Sequence, residues 1–111
     1  MAHRRVVVTG LGCVTPVGNS VSESWDNLLA GRSGIAAITR FDASALACRI
    51  AGEVKGFELE KYLSVKDART MDTFIHYGLA AAIEAVQDAG LPSGEALPPE
   101  LAERIGCIIG S

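Results

Sequence analysis

DTFIHYGLAAAIEAVQDA, residues 72–89, is the stretch on which the fold of this 111-residue chain turns. Alanine, isoleucine, leucine, glutamate and glutamine dominate it, no proline interrupts it, and Gly90 followed by Leu91-Pro92 supplies a stop, so it reads as a helix from Asp72 to Ala89. Between Phe74 and Val86 the only clearly polar side chains are His76, Tyr77 and Glu84, while Gly78, Ala80, Ala81, Ala82 and Ala85 line several sides. A surface helix carries separate polar and apolar stripes; a helix apolar nearly all round must be covered nearly all round. The stretch is therefore expected to be an interior helix, packed between the layers of something larger than a two-layer domain.

The totals restrict what can surround it. The chain is 49% hydrophobic and 21% charged with net charge −3, the composition of one soluble globular domain or part of one. A domain near this length buries only about two thirds of its unfolded surface, too little to enclose a helix on every side, so the chain is expected to be incomplete. Mild acidity and scattered Lys and Arg argue against nucleic acid as a partner. Cys13, Cys48 and Cys107 lie far apart with no zinc-ligand spacing and an odd count for disulfides, which reads as a reducing compartment and thiols that are mostly buried fillers. The opening MAHRRVVVTG has the charges of a signal peptide but too short an apolar run, and nothing approaches the roughly 20 apolar residues of a membrane span. A cytoplasmic location follows as the expectation.

Working outward, Arg4 to Thr9 is a β-branched run that does not alternate with polar residues, so it is expected to be a strand covered on both faces. The turn-rich GLGCVTPVGN follows it. Ser20 and Glu23 have the form of a capping box for a helix over Val21 to Ala30, with Trp25, Leu28 and Leu29 on one covering face. From Arg32 to Phe57 the signals shorten: a turn at Phe41 to Ser44 and a brief strand within Arg49 to Val54, in an excursion lying over the main body. Phe57 to Tyr62 suggests a helical turn, and Ser64 with Asp67 a second capping arrangement. After a loop from Leu91, a short turn of helix is expected near Pro99. Arg104 to Gly110 is again an apolar run of strand length. The order implies an α/β layered fold with crossover connections.

The glycines after the first run invite a dinucleotide-binding reading, but Thr15 stands where the third glycine of G-x-G-x-x-G belongs, and no second strand ends in an acidic residue at the required distance. No cysteine sits at a strand-to-helix turn that would activate it. His3 is terminal, and His76 on the central helix reads as a hydrogen-bonded residue rather than a base. No Ser/His/Asp set, carboxylate pair or metal cluster can be assembled, so no catalytic, metal or cofactor residue is assigned. Lys66 and Arg69, three apart on one exposed helical face, are either a solvated surface or a docking face for an acidic partner.

The order of motifs resembles a known family. RRVVVTGLGCVTPVGNSVSESWDNLLAGRSGI, then RFDAS, IAGEVKGF, RTMDTFIHYGLAAAIEAVQDAGL and RIGCIIGS, resembles the start of the bacterial beta-ketoacyl-[acyl-carrier-protein] synthases, the condensing enzymes of fatty-acid elongation. FIHYGLAAAIEAVQDAGL favours the type II over the type I members. The resemblance implies a thiolase-like fold of stacked α/β/α/β/α layers, homodimers, and residues 1–111 as the N-terminal part of the first domain, with the remainder absent. It implies an acyltransferase: a cysteine takes the acyl chain as a thioester, two histidines assist decarboxylation of malonyl-carrier protein, and the resulting carbanion attacks. Those catalytic motifs belong beyond Ser111, so none of Cys13, Cys48, Cys107, His3 or His76 inherits a role, and the fragment alone is expected to be inactive. The resemblance further implies that Lys66 and Arg69 meet the acidic acyl carrier protein, with Thr70 where relatives often carry another basic residue. A non-catalytic carrier- or partner-binding module built on the same segment is the alternative.

Overall fold

The helix expected at 72–89 forms, and the rest of the chain hangs from it. The computed structural model describes residues 3–92 and 97–110. In chain order it contains α1 (Val21–Leu29), β1 (Ile35–Ala37), β2 (Ile50–Gly52), a 3-10 turn (Leu59–Lys61), α2 (Val65–Ala68), α3 (Thr73–Asp88) and α4 (Pro99–Ala102). The loop expected from Leu91 lies partly outside the described residues, at 93–96.

α3 is the longest element, with Asp72 at its N-cap position and Gly90 in the left-handed region (φ 66°) just past its end. The Asp72 carboxylate makes no capping bond; its carbonyl accepts from the Ile75 and His76 N–H groups at 3.0 and 3.4 Å. The chain thus breaks between α2 and α3 instead of running through.

The turn after the first apolar run lies along α3. A Cβ on Gly10 would collide with the Ala85 carbonyl and stand 2.6 Å from Ala89 N, and one on Gly12 would collide with the Ala81 carbonyl and stand 2.8 Å from Ala85 N. These glycines let backbone meet backbone.

The excursion is tied down further along the helix. β1 and β2 pair antiparallel with Ile35 opposite Gly52, Ala36 opposite Ala51 and Ala37 opposite Ile50. β2 falls within the Arg49 to Val54 run where a strand was expected; β1, Ile-Ala-Ala, carried no such signal. Glu53 accepts from Thr39 N, Thr39 Oγ1 and Arg40 N, which closes the hairpin beyond its ladder. Arg40 in turn donates to the Tyr77 hydroxyl at 2.8 Å, and Phe57 meets the Tyr77 ring edge-on with centroids 5.0 Å apart.

Two expectations are corrected. Arg4 to Thr9 and Arg104 to Gly110 belong to no ladder among the described residues, with Val6 94% and Ile108 99% exposed, and Arg104 still lies in the turn that ends α4, its N–H donating to the Leu101 carbonyl at 3.0 Å. A strand exists through its partner's hydrogen bonds, and no described segment supplies them here. α1 does not cover the body with its apolar face: Trp25 is 60% exposed, and the buried residue is Ser24 at 4%. α3 itself is half-buried along most of its length with only Ala80 fully buried, which is what is expected of a helix whose covering layers this chain cannot supply alone.

The dimensions agree with these exposures. The radius of gyration is 17.7 Å, against about 13 Å for a compact domain of this length. The accessible surface is 9024 Å², where a compact chain of this mass would expose roughly 5,800 Å².

Candidate functional site

The candidate face is α2 and its flanks. Ser64 caps α2, its Oγ accepting from Asp67 N at 3.1 Å while donating to Asp67 Oδ2 at 2.6 Å. The Thr70 hydroxyl and N–H both donate to the Asp67 carbonyl, at 2.8 and 3.1 Å, closing the helix after one turn. His76 Nε2 lies 3.1 Å from the Ala68 carbonyl, so that nitrogen carries the proton and donates, fastening the end of α2 to the first turns of α3. Its observed bond is a structural one.

Lys66 and Arg69 both project into solvent. Among the described residues the ion pair formed is Lys61 with Glu58, at 2.6 Å, which leaves both guanidinium and ammonium of the α2 pair without a carboxylate. Asp67, the acid between them, has its carboxylate engaged by Ser64. Behind Arg69 an apolar groove of about 340 Å³ runs between α2 and the 3-10 turn.

A second polar cluster sits where the glycine-rich loop meets α1. Glu84 of α3 accepts from Cys13 N at 3.0 Å through one oxygen and from Val21 N, the first residue of α1, at 2.8 Å through the other. Asp88 accepts from Leu11 N at 2.9 Å. The buried Ser24 hydroxyl lies 2.9 Å from Thr15 Oγ1 and donates to the Gly18 carbonyl at 3.2 Å. The dinucleotide reading fails on this geometry. A phosphate needs free amides at the loop and the helix N-terminus, and here the Leu11, Cys13 and Val21 amides already serve two carboxylates, whose charge would repel it.

The thiols are less buried than the sequence suggested. Cys13 is half-buried, its Sγ 3.7 Å from Ser24 Oγ, but Cys48 and Cys107 are exposed. Cys48 lies in the hairpin connection and Cys107 in the unladdered run, so neither has a layer above it. Among the described residues no group of His, Cys, Asp and Glu could hold a metal ion, and no helix is long and apolar enough to cross a membrane.

A long helix bearing a glycine loop on one side and, on the other, an uncovered apolar trough lined by Phe74, Ile75, Leu79 and Ile109 defines a piece of a layered α/β protein. The family described as "Beta-ketoacyl synthase, N-terminal domain" matches residues 3–111, and the chain belongs to this family, with its thiolase-like fold. It is 56% identical over 111 residues to the 3-oxoacyl-[acyl-carrier-protein] synthase 2 of Vibrio cholerae and 48% identical over 110 residues to that of Synechocystis sp.. A solved structure, the ishigamide ketosynthase/chain length factor, superposes with TM-score 0.70 at 41% identity, covering 82% of this chain and 23% of its own. The chain spans 26% of the length of either synthase.

Proposed function

We propose that this chain is the N-terminal part of a 3-oxoacyl-[acyl-carrier-protein] synthase of the type II kind, a cytoplasmic, homodimeric acyltransferase that elongates a fatty acyl chain by decarboxylative condensation. The observation that carries the reading is identity above half over the whole chain with a synthase of that name, in a chain spanning about a quarter of it. The excess surface supports the same reading, since a fold missing its remaining layers exposes what they would cover. The trough lined by Phe74, Ile75, Leu79 and Ile109 lies in such a place.

On this reading the chain contributes a frame and a docking face rather than reacting atoms. Glu84 and Asp88 fix the loop over α3, and α2 presents Lys66 and Arg69 to the acidic carrier protein that delivers acyl and malonyl groups. Surface charge of this kind acts chiefly on encounter and orientation.

The test uses the natural gene product containing this chain. It is expected to release carbon dioxide from malonyl-carrier protein in the presence of an acyl thioester and to form the 3-oxoacyl product. Lys66→Glu with Arg69→Glu should raise KM for carrier-bound substrate several-fold and leave turnover of small thioester surrogates unchanged. A gene product without condensing activity refutes the enzyme reading. Equal loss with both substrates refutes the docking role.

A further inference from the structure

Gly31 and Gly56 stand at the two ends of the excursion, and both lie in the left-handed region, with φ 68° and 62°. Nothing lies within 4 Å of a Cβ built on Gly31, so its conformation serves the direction of the chain and not a close contact. Between these glycines, the base of the hairpin is seated on Pro16: a Cβ added at Gly34 or at Gly52 would stand 2.7 Å from the proline ring. Pro16 is itself fixed, because Thr15 and Gly18 exchange backbone hydrogen bonds across it at 2.8 and 3.2 Å. Beside the two glycines, Arg32 N donates to the Asn27 carbonyl at 2.9 Å and Asn19 Nδ2 to the Lys55 carbonyl at 2.8 Å. The tie to α3 is Arg40 Nη2, which donates to the Tyr77 hydroxyl at 2.8 Å and reaches the Val54 carbonyl at 3.4 Å. Around that tie an open groove of about 310 Å³, lined by Ile38, Phe41, Val54 and Tyr77, takes the place of close packing.

We propose that residues 32–55 are a strap, hinged at Gly31 and Gly56, that opens from α3 as one cooperative unit while α3 stays folded, with the Arg40–Tyr77 bond as its latch. Hinges are a few loop positions that absorb a change in backbone direction, and the two glycines occupy such positions. A two-stranded hairpin has little stability of its own in water, so a strap detached from Pro16 and Tyr77 loses its ladder in the same event. Glu53, which joins Thr39 and Arg40 to the second strand, makes the two arms of the strap respond together. Phe57 lies outside the hinge and stays edge-on against the Tyr77 ring, so opening removes the hydroxyl's partner and leaves the ring in place.

The experiment is native-state hydrogen exchange on the natural gene product containing this chain, comparing the parent with Tyr77→Phe, which keeps the ring and removes the acceptor. Three amides report on the strap: Ile38, bonded to the Arg49 carbonyl, Thr39, bonded to Glu53, and Leu46, bonded to the Ala43 carbonyl in the hairpin connection. All three should exchange faster by one common factor of roughly fivefold, the worth of a single hydrogen bond, while the Ala81 and Ala85 amides of α3 exchange as in the parent. Arg40→Met should raise exchange at the same three amides, and adding it to Tyr77→Phe should cost less than it costs alone, because the bond can be lost only once. If the strap amides of the parent exchange only with global unfolding, or if the α3 amides accelerate by the same factor, the strap is not a separate unit and the proposal is overturned. Unchanged exchange in Tyr77→Phe, acceleration at Thr39 without Leu46, or strictly additive effects of the two substitutions would each show that the bond is not a latch.

Discussion

Glu84→Ala removes the side chain through which α3 holds both the glycine loop and the start of α1. Its two oxygens accept from Cys13 N at 3.0 Å and Val21 N at 2.8 Å. Hydrogen bonds to a charged group contribute about 1.5–3 kcal/mol each when the partner left behind stays buried, so the pair is worth at most about 3–6 kcal/mol. The site is only half-buried, and water entering the vacated space re-solvates the freed amides and recovers about half, which leaves a cost of about 1.5–3 kcal/mol. The negative charge beside the first turn of α1 adds a further stabilisation of about 0.3–1 kcal/mol. Native-state hydrogen exchange on the natural gene product reads this locally: the Cys13 and Val21 amides should lose protection by about tenfold or more, since 1.4 kcal/mol is tenfold. Glu84→Gln keeps one acceptor and should fall between. Asp88→Ala, which loses a single bond to the exposed Leu11 amide, should cost below about 1 kcal/mol. If Glu84→Ala is no more costly than Asp88→Ala, or if the two amides exchange as in the parent, the carboxylate is not what holds the loop.

Gly12→Ala should destabilise the natural gene product by about 1–3 kcal/mol in chemical unfolding because the new methyl meets helix backbone that cannot give way; an unchanged midpoint would show that the loop does not lie against α3. The Thr39 hydroxyl, joined by the Thr39 and Arg40 amides and opposed by partial desolvation, holds the Glu53 carboxyl below the usual carboxylate range. A lowered folded value means that its stabilisation is present above the unfolded value and disappears as pH falls through the folded one. Wild type should therefore exceed Glu53→Gln in stability at neutral pH, and the two should converge in acid; a constant gap would refute it. Replacing Cys13, Cys48 and Cys107 singly with Ala should leave acyl-enzyme formation intact in the natural gene product, and its complete loss from a folded variant would overturn their exclusion from catalysis. The isolated 111-residue polypeptide should bind a hydrophobic dye and fail to unfold cooperatively as a monomer; a sharp two-state transition would contradict the excess surface.

What was legible in the sequence was local. The α3 stretch, the Ser20 and Ser64 caps, the helical turn before Tyr62, the short strand near Ile50 and the turn at Pro99 all depend on neighbours within a few residues, and the structure places each of them. The two apolar runs at Arg4 and Arg104 failed to pair because strand formation depends on a partner at unknown distance. β1 was missed because Ile-Ala-Ala is too short for alternation to register. Trp25, Leu28 and Leu29 were correctly placed on one face, but periodicity says only that a face is apolar, not which layer it meets. The exposed placement of Lys66 and Arg69 was readable from their spacing; the groove behind them was not, because Leu59 and Leu63 reach it from a separate turn.

The polar residues scattered through α3 follow a rule that a count of polar positions conceals. His76, Ala80, Glu84 and Asp88 are four apart and form one ridge along the helix; Tyr77, Ala81, Ala85 and Ala89 form the ridge beside it. The described anchors use these two ridges: His76 holds α2, Tyr77 the excursion, Glu84 and Asp88 the loop, and the alanines accept Gly10 and Gly12. Phe74 with Gly78, and Ile75 with Leu79, lie on the ridges that turn toward the open trough. An interior helix can thus lack a polar stripe facing water and still carry a polar stripe, one that faces its own chain. That stripe fixes the loop, the hairpin and the basic face of α2 from a single rigid element, so any partner that met α2, as proposed above, would find a surface already held in place, with less ordering cost on binding.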